Sequence, residues 1–563
     1  MNLSTFARKA HLWLIIFVVV GCLFRIVNLD SVPGGFHEDE AHIGYNAYSL
    51  LETLRDKNNV FLPLAIDQFG DFRPSGLHFL TVPSIAIFGL TEFATRFPVA
   101  LFGTFTIFIF YFLAREIFRR DFIALIASGM MALNPWHIIA SRSTSESIVA
   151  MFFVILGIFL ILRSIRLAQE VEGKEVVIPS LVTGFLSLLI SFQFYHAARY
   201  FIPFIVVYLA FWVFIERKIL FKAKMILVGC SILLFAGLLF LFSVGSGSGR
   251  VGEISIFHYP ATQIMLWEQV SEDKGIARPL VRLLHNKVTA FSYTAFVNYG
   301  AHFTPDFLFF KGGLPPRYQV PWNGNFYILD ALFIGLGLII LSSTLFNAKK
   351  FPWLLSIPLV WLLIGPAPAA LTFEDIPHFQ RSIMMLPAVL LIASYGFYLL
   401  VSRFSLVRLR VLVILVVGIV GIYQVVIFTH DYFHHTLTHN AKYRNEGEGA
   451  LLAKVNQYKN QGREVVMTSE GANLIIFYLF FNKSDPVAFQ KAGSPRDKDR
   501  LVYDGVQYRK VDCPSYIAEK RASIIYVDRG ECLASNDFHV LDEIHRPDGT
   551  VVFRILEVYQ GKK

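Results

Sequence analysis

Apolar residues in this chain run in long unbroken stretches, not in the alternation of a half-buried strand or the stripe of a surface helix. Runs of about 20 such residues predict membrane-spanning helices. They fall at 12–28, 96–113, 122–140, 148–165, 179–195, 200–214 and 225–242, and again at 326–346, 352–369, 382–401 and 411–428. The pattern predicts a polytopic α-helical membrane protein with about eleven spans. One more apolar stretch, Gly76–Leu90, is short and interrupted by Pro83. It is read as a juxtamembrane or re-entrant helix in the first outer loop, because a crossing there would turn every later basic loop outward. After Thr429 the pattern changes. A helical run at 449–462 and β-like runs at 463–469, 522–530 and 550–559 predict a small α/β domain. The expected organisation is a membrane domain over 1–428, with outer loops at 29–95 and 244–325, and a soluble extracytoplasmic domain over 429–563.

Composition agrees with lipid as solvent: the chain is 55% hydrophobic and 17% charged, where soluble domains carry about 25% charged residues. The net charge of +9 does not point to nucleic acid, because the basic residues sit in short clusters between the apolar runs, as in cytoplasmic loops. Arg8 and Lys9 precede a first run too long for a signal peptide, so it reads as a retained span. The stretch Gly245–Gly249 lets the chain leave the bilayer. The absence of a retention signal at the C-terminus points to a bacterial plasma (inner) membrane. Cys22 and Cys230 fall in apolar runs. Cys513 and Cys532 share the tail, where export would permit a disulfide.

Candidate chemistry clusters on the outer side. Glu38, Asp39 and Glu40 open a helical pattern whose apolar positions Ile43, Ala47, Leu50, Leu51 and Leu54 suit a helix lying on the membrane. The helix dipole favours acids there, so they are also read simply as first-turn residues. His37 and His42 are five apart, where a zinc-protease face needs four, and Gly247-x-Gly249-x-x-Gly252 follows a membrane helix rather than a strand. Neither motif carries weight. Asp67, Asp71 and Arg73 form a second cluster. Asn134–Glu146, Tyr195–Tyr200 and His378–Arg381 form three more, with Arg142, Arg199 and Arg381 expected at the same boundary as the acids. Arginines there suit an anionic lipid phosphate.

These residues resemble the GT-C glycosyltransferases, specifically the dolichyl-phosphate-mannose protein mannosyltransferase-like branch that includes bacterial lipid A, core and envelope transferases. The resemblance rests on Asp39-Glu40 after the first span, Tyr45, Leu62-Pro63-Leu64, the Asp71/Pro74 region, Glu92…Arg96-Phe97-Pro98, and Asn134-Pro135-Trp136-His137 with Ser141-Arg142. It covers the first third and the topology, but not the outer loop or tail. It implies an inverting transfer from a polyprenyl-phosphate sugar to a lipid, glycan or protein acceptor, with Asp39 as general base and Glu40 or Asp71 assisting. Arg142, Arg199 and Arg381 would bind the donor phosphate, and His37, Tyr45 and Tyr195 the substrate. No cofactor is required and no metal site is assigned, although His37–His42 is compatible with a divalent cation. The alternative is a transporter or flippase-like protein with a soluble sensor tail. That reading predicts ionisable residues at midplane or broken repeats, and the runs show neither.

Overall fold

The computed structural model describes residues 10–170, 177–216, 221–244, 252, 254–349, 351–469, 474–493, 500–517, 521, 523–533 and 535–559. The Gly245–Gly249 stretch lies outside them. The described chain divides into two compact units, 1–27 with 99–429, and 28–98 with 430–563.

The first unit is helical, and each expected span has its helix. Among the described residues, eight helices are long and apolar enough to cross a bilayer, or nine when the bent pair Asp121–Leu133 and Pro135–Arg142 is taken as one span. Two more, Ala10–Ile26 and Ile178–Ser191, are apolar but shorter. The 50° bend follows from Asn134 and Pro135. Asn134 leaves the helical backbone and its side chain accepts a hydrogen bond from His137 N (2.9 Å), starting a new helix with proline at its first position. Glycine lets two helices approach backbone to backbone. A Cβ on Gly337 would stand 2.1 Å from Ile392 O, and one on Gly396 2.0 Å from Phe333 O.

The second unit has a six-stranded mixed sheet in the order 500–503, 506–509, 464–468, 524–529, 551–558, 538–545. The central strand Glu464–Thr468 runs parallel to both neighbours and the outer pairs are antiparallel. Its residues at Val465–Thr468 are all buried, as a strand covered on both faces requires. Cys513 and Cys532 are disulfide-bonded. The segment 28–98 contributes to the same core. Ala41, Tyr45 and Ala47 pack with Phe477, Phe480 and Phe489. The helix Glu38–Thr53 therefore corrects one expectation: Ile43, Ala47 and Leu50 are buried in protein, and only Leu51 and Leu54 remain exposed. Gly44 permits the contact, since a Cβ there would meet Phe480 at 2.5 Å. The stretch Gly76–Leu90 forms the helix Gly76–Phe88, about 20 Å long and too short to cross.

Candidate functional site

Three acids open the Glu38–Thr53 helix. Successive helical residues point about 100° apart, so each meets different surroundings. Glu38 faces His42 one turn on, at 3.7 Å. Glu40 turns inward and is 2% exposed. Its carboxylate takes Arg96 Nε at 3.1 Å and Nη2 at 3.0 Å, and Arg444 Nη2 at 2.8 Å. It also accepts from His37 N at 3.0 Å, completing a capping box in which His37 Nδ1 accepts from Asp39 N. Burial alone would raise the Glu40 pKa, but Arg96 and Arg444 outweigh it and hold it at about 2. The same arginines donate to the carbonyls of Leu29, Asp30, Pro33, Gly34 and Gly35, fixing the loop before the helix.

Asp39 is part-exposed at 20%, as is Glu38 at 25%. Arg73 Nη2 stands 2.9 Å from Asp39 Oδ1, and Arg73 Nε 2.9 Å from Asp71 Oδ2. The arginine reaches both because of a local hairpin. Strands Ala65–Gln68 and Asp71–Pro74 pair antiparallel around Phe69 and Gly70, which both have positive φ. Asp71 and Arg73, two apart on one strand, share a face. Beneath lie buried His42, Lys57, Gln68 and His78. Lys57 Nζ donates to Asp67 O, and His78 Nε2 lies 3.3 Å from Gln68 Nε2. Burial lowers the pKa of His42 to about 4 and of His78 to about 3, so both are neutral at pH 7.

The remaining expected residues fall as follows. Tyr45 is fully buried and its hydroxyl donates to Ser484 O at 3.1 Å. This is a packing position. Glu40, expected to assist the base, is ion-paired to Arg96 and Arg444. In the helical unit, Arg142 is fully buried and donates to Phe24 O (2.8 Å) and Val27 O (2.7 Å) at the end of the Ala10–Ile26 helix. It clamps that helix end. Arg199, 5% exposed, donates twice to Phe192 O, just past the Val177–Ser191 helix. Arg381, 9% exposed, pairs with Glu374 (3.1 Å) and Thr372 (3.0 Å). Tyr195 is half-buried at the start of the His196–Ile215 helix.

Sequence reading missed Arg25 and Arg444. Arg25 donates to Met131 O and Ala132 O and lies 2.6 Å from His137 Nδ1, closing the helix that Asn134 ends. An arginine within an otherwise apolar run was the available signal. Arg444, 404 residues from Glu40, left none.

The sequence profile of the dolichyl-phosphate-mannose-protein mannosyltransferase family matches residues 14–245. No curated protein matches by sequence. Among solved structures, ArnT from Cupriavidus metallidurans in the apo state matches over 97% of this chain and 98% of its own, with TM-score 0.51 and 11% identity. The same protein bound to undecaprenyl phosphate gives TM-score 0.49 and 12% identity, covering 98% of this chain and 99% of its own. The oligosaccharyltransferase AglB from Archaeoglobus fulgidus, in complex with an inhibitory peptide and a dolichol-phosphate, gives TM-score 0.47 and 14% identity over 84% of this chain. This chain spans 63% of the length of that relative. The family profile covers residues 14–245, less than half of the chain, and the likeness to apo ArnT shows a shared fold over nearly its whole length.

Proposed function

We propose that this protein transfers a sugar from a polyprenyl-phosphate donor to a hydroxyl acceptor at the outer face of the membrane, with inversion and with Asp39 as general base. The observation that carries the reading is the pairing of Asp39 and Asp71 on the single guanidinium of Arg73. Of the three helix-opening acids, Asp39 is the one paired with an arginine while still part-exposed. The donor class follows the name of the matching family, which carries its sugar on dolichyl phosphate.

In the proposed reaction Asp39 accepts the proton of the acceptor hydroxyl as that oxygen bonds to the anomeric carbon. The bond from that carbon to the phosphate oxygen breaks on the opposite face, and the polyprenyl phosphate leaves with the electron pair. Arg73 orients the base, and Asp71 positions the acceptor from the other side of Arg73. Arg199 and Arg381 are the proposed countercharges for the lipid phosphate, and His37 and Tyr195 the proposed substrate contacts. The basic loops and the Cys513–Cys532 disulfide support an extracytoplasmic second unit and a plasma (inner) membrane location.

The test is turnover and binding of polyprenyl-phosphate sugars by the purified wild type and by Asp39→Asn. General-base catalysis is worth about 10²–10⁴-fold. The variant should therefore bind donor with unchanged affinity and lose turnover by that factor. A wild type inert toward a panel of such sugars, or an Asp39→Asn enzyme within threefold of wild type, defeats the proposal.

A further inference from the structure

Beyond the last long apolar helix, four of the sixteen histidines fall within ten residues, at 430, 434, 435 and 439, with Asp431 among them. The apolar run continuing as Val407–His439 has 33 residues, about 50 Å of helix against a hydrocarbon core of about 30 Å. Its distal histidines thus lie beyond the apolar core, within reach of water. Asp431–His435 is a π-helical turn interrupting the helix. In a regular α-helix, residues 430 and 435 would project about 140° apart. The wider i→i+5 turn brings them toward one side.

The result is a ligand set. One ligand atom each from His430, Asp431 and His435 lies within 4.8 Å of the others. Asp431 Oδ1 is 3.6 Å from His430 Nδ1 and 3.7 Å from His435 Nε2. A tetrahedral ion with bonds of about 2.1 Å needs ligand atoms about 3.4 Å apart, so rotamer adjustment alone closes the set. Among the described residues no other group of three His, Cys, Asp or Glu ligand atoms lies this close together. We propose that His430, Asp431 and His435 bind a divalent transition metal of the zinc class. Two imidazoles and one carboxylate leave a coordination position for water, and His430, 60% exposed, keeps the site open to solvent. His434, whose ring centroid is 5.1 Å from that of His430, is placed to orient or replace it. The ion ties the start of the π-turn to its end and so fixes the chain where the second unit resumes after the last span. The proposal does not depend on the transfer reaction.

The experiment uses the full-length protein, purified without a histidine tag, stripped with a chelator and reloaded with Zn²⁺ or Co²⁺. Metal per chain is measured by mass spectrometry, affinity by competition with a chromophoric chelator, and the Co²⁺ form by its visible spectrum. The expected result is one ion per chain with a four-coordinate N/O spectrum. Binding should weaken at least tenfold in Asp431→Asn and in His430→Gln, two substitutions of polar groups that keep helix-compatible side chains. His285→Ala is the control: it removes an isolated His–Asp pair (3.2 Å from Asp273) and should leave binding unchanged. Should either ligand variant fail to fold, the other stands in for it. Substoichiometric metal in the wild type, or equal binding by wild type and the folded ligand variants, overturns the proposal and leaves only histidines paired with Asp431.

Discussion

Glu40 is the residue on which the second unit's electrostatics turn. Two buried arginines depend on it, so Glu40→Gln should cost about 3–5 kcal/mol, the usual penalty for leaving buried charges uncompensated. Thermal unfolding in detergent checks this, and a melting temperature matching wild type would show that the network contributes little. The pH dependence has a definite sign. The Glu40 pKa is held at about 2, below its unfolded value, so its contribution is complete above about pH 4.5 and is lost as pH falls toward 2. His42 and His78, held at about 4 and 3, stay neutral in the fold while the unfolded chain protonates them below about pH 6.5. They too make acid destabilising, over a window that opens earlier. Stability should thus fall from about pH 6.5 downward, and replacing both histidines with glutamine should remove the upper part of that slope. An unchanged profile in the double variant would assign the slope to other groups.

Among the elements, the spans were legible because their signal is a sum over about 20 residues, which no single substitution obscures. The same holds for the tail's helix Glu448–Asn460 and strands Glu464–Thr468, Ile524–Arg529 and Val551–Val558. The Glu38–Thr53 helix was legible as a helix but not in its surroundings. Apolar residues on one face do not reveal whether lipid or Phe480 covers them. Arginines posed the same difficulty: Arg142 and Arg199 meet helix-end carbonyls, a bond that demands only a cation near a C-terminus, and sequence does not separate that from a phosphate site. Close helix packing gives a sharper test. Gly337 and Gly335 share the helix Ile328–Asn347, but a Cβ on the first would strike Ile392 O while the second faces open space. Gly337→Leu should abolish stable expression or lower the unfolding temperature strongly, and Gly335→Leu should do neither. Equal behaviour of the two would contradict the packing.

The whole molecule interleaves its two units, the second being assembled from residues 28–98 and 430–563. Its disulfide offers a check on sidedness. A membrane-impermeant maleimide applied to intact cells should label Cys513 and Cys532 only after a reductant is added. Labelling without reductant would contradict the disulfide, and labelling only after permeabilisation would place the tail on the inner side. The ion pair between Glu40 and Arg444 also sets an order of events in synthesis. At about 5–20 residues per second, Glu40 leaves the ribosome about 20–80 s before its second partner, 404 residues later. Through that interval the helix bearing Asp39 lacks one of its two countercharges, and a chain broken off before residue 444 never acquires it. Prematurely terminated copies, although fully inserted in the bilayer, would therefore reach surveillance proteases with this segment still unsecured, so the end of translation decides whether its beginning becomes functional.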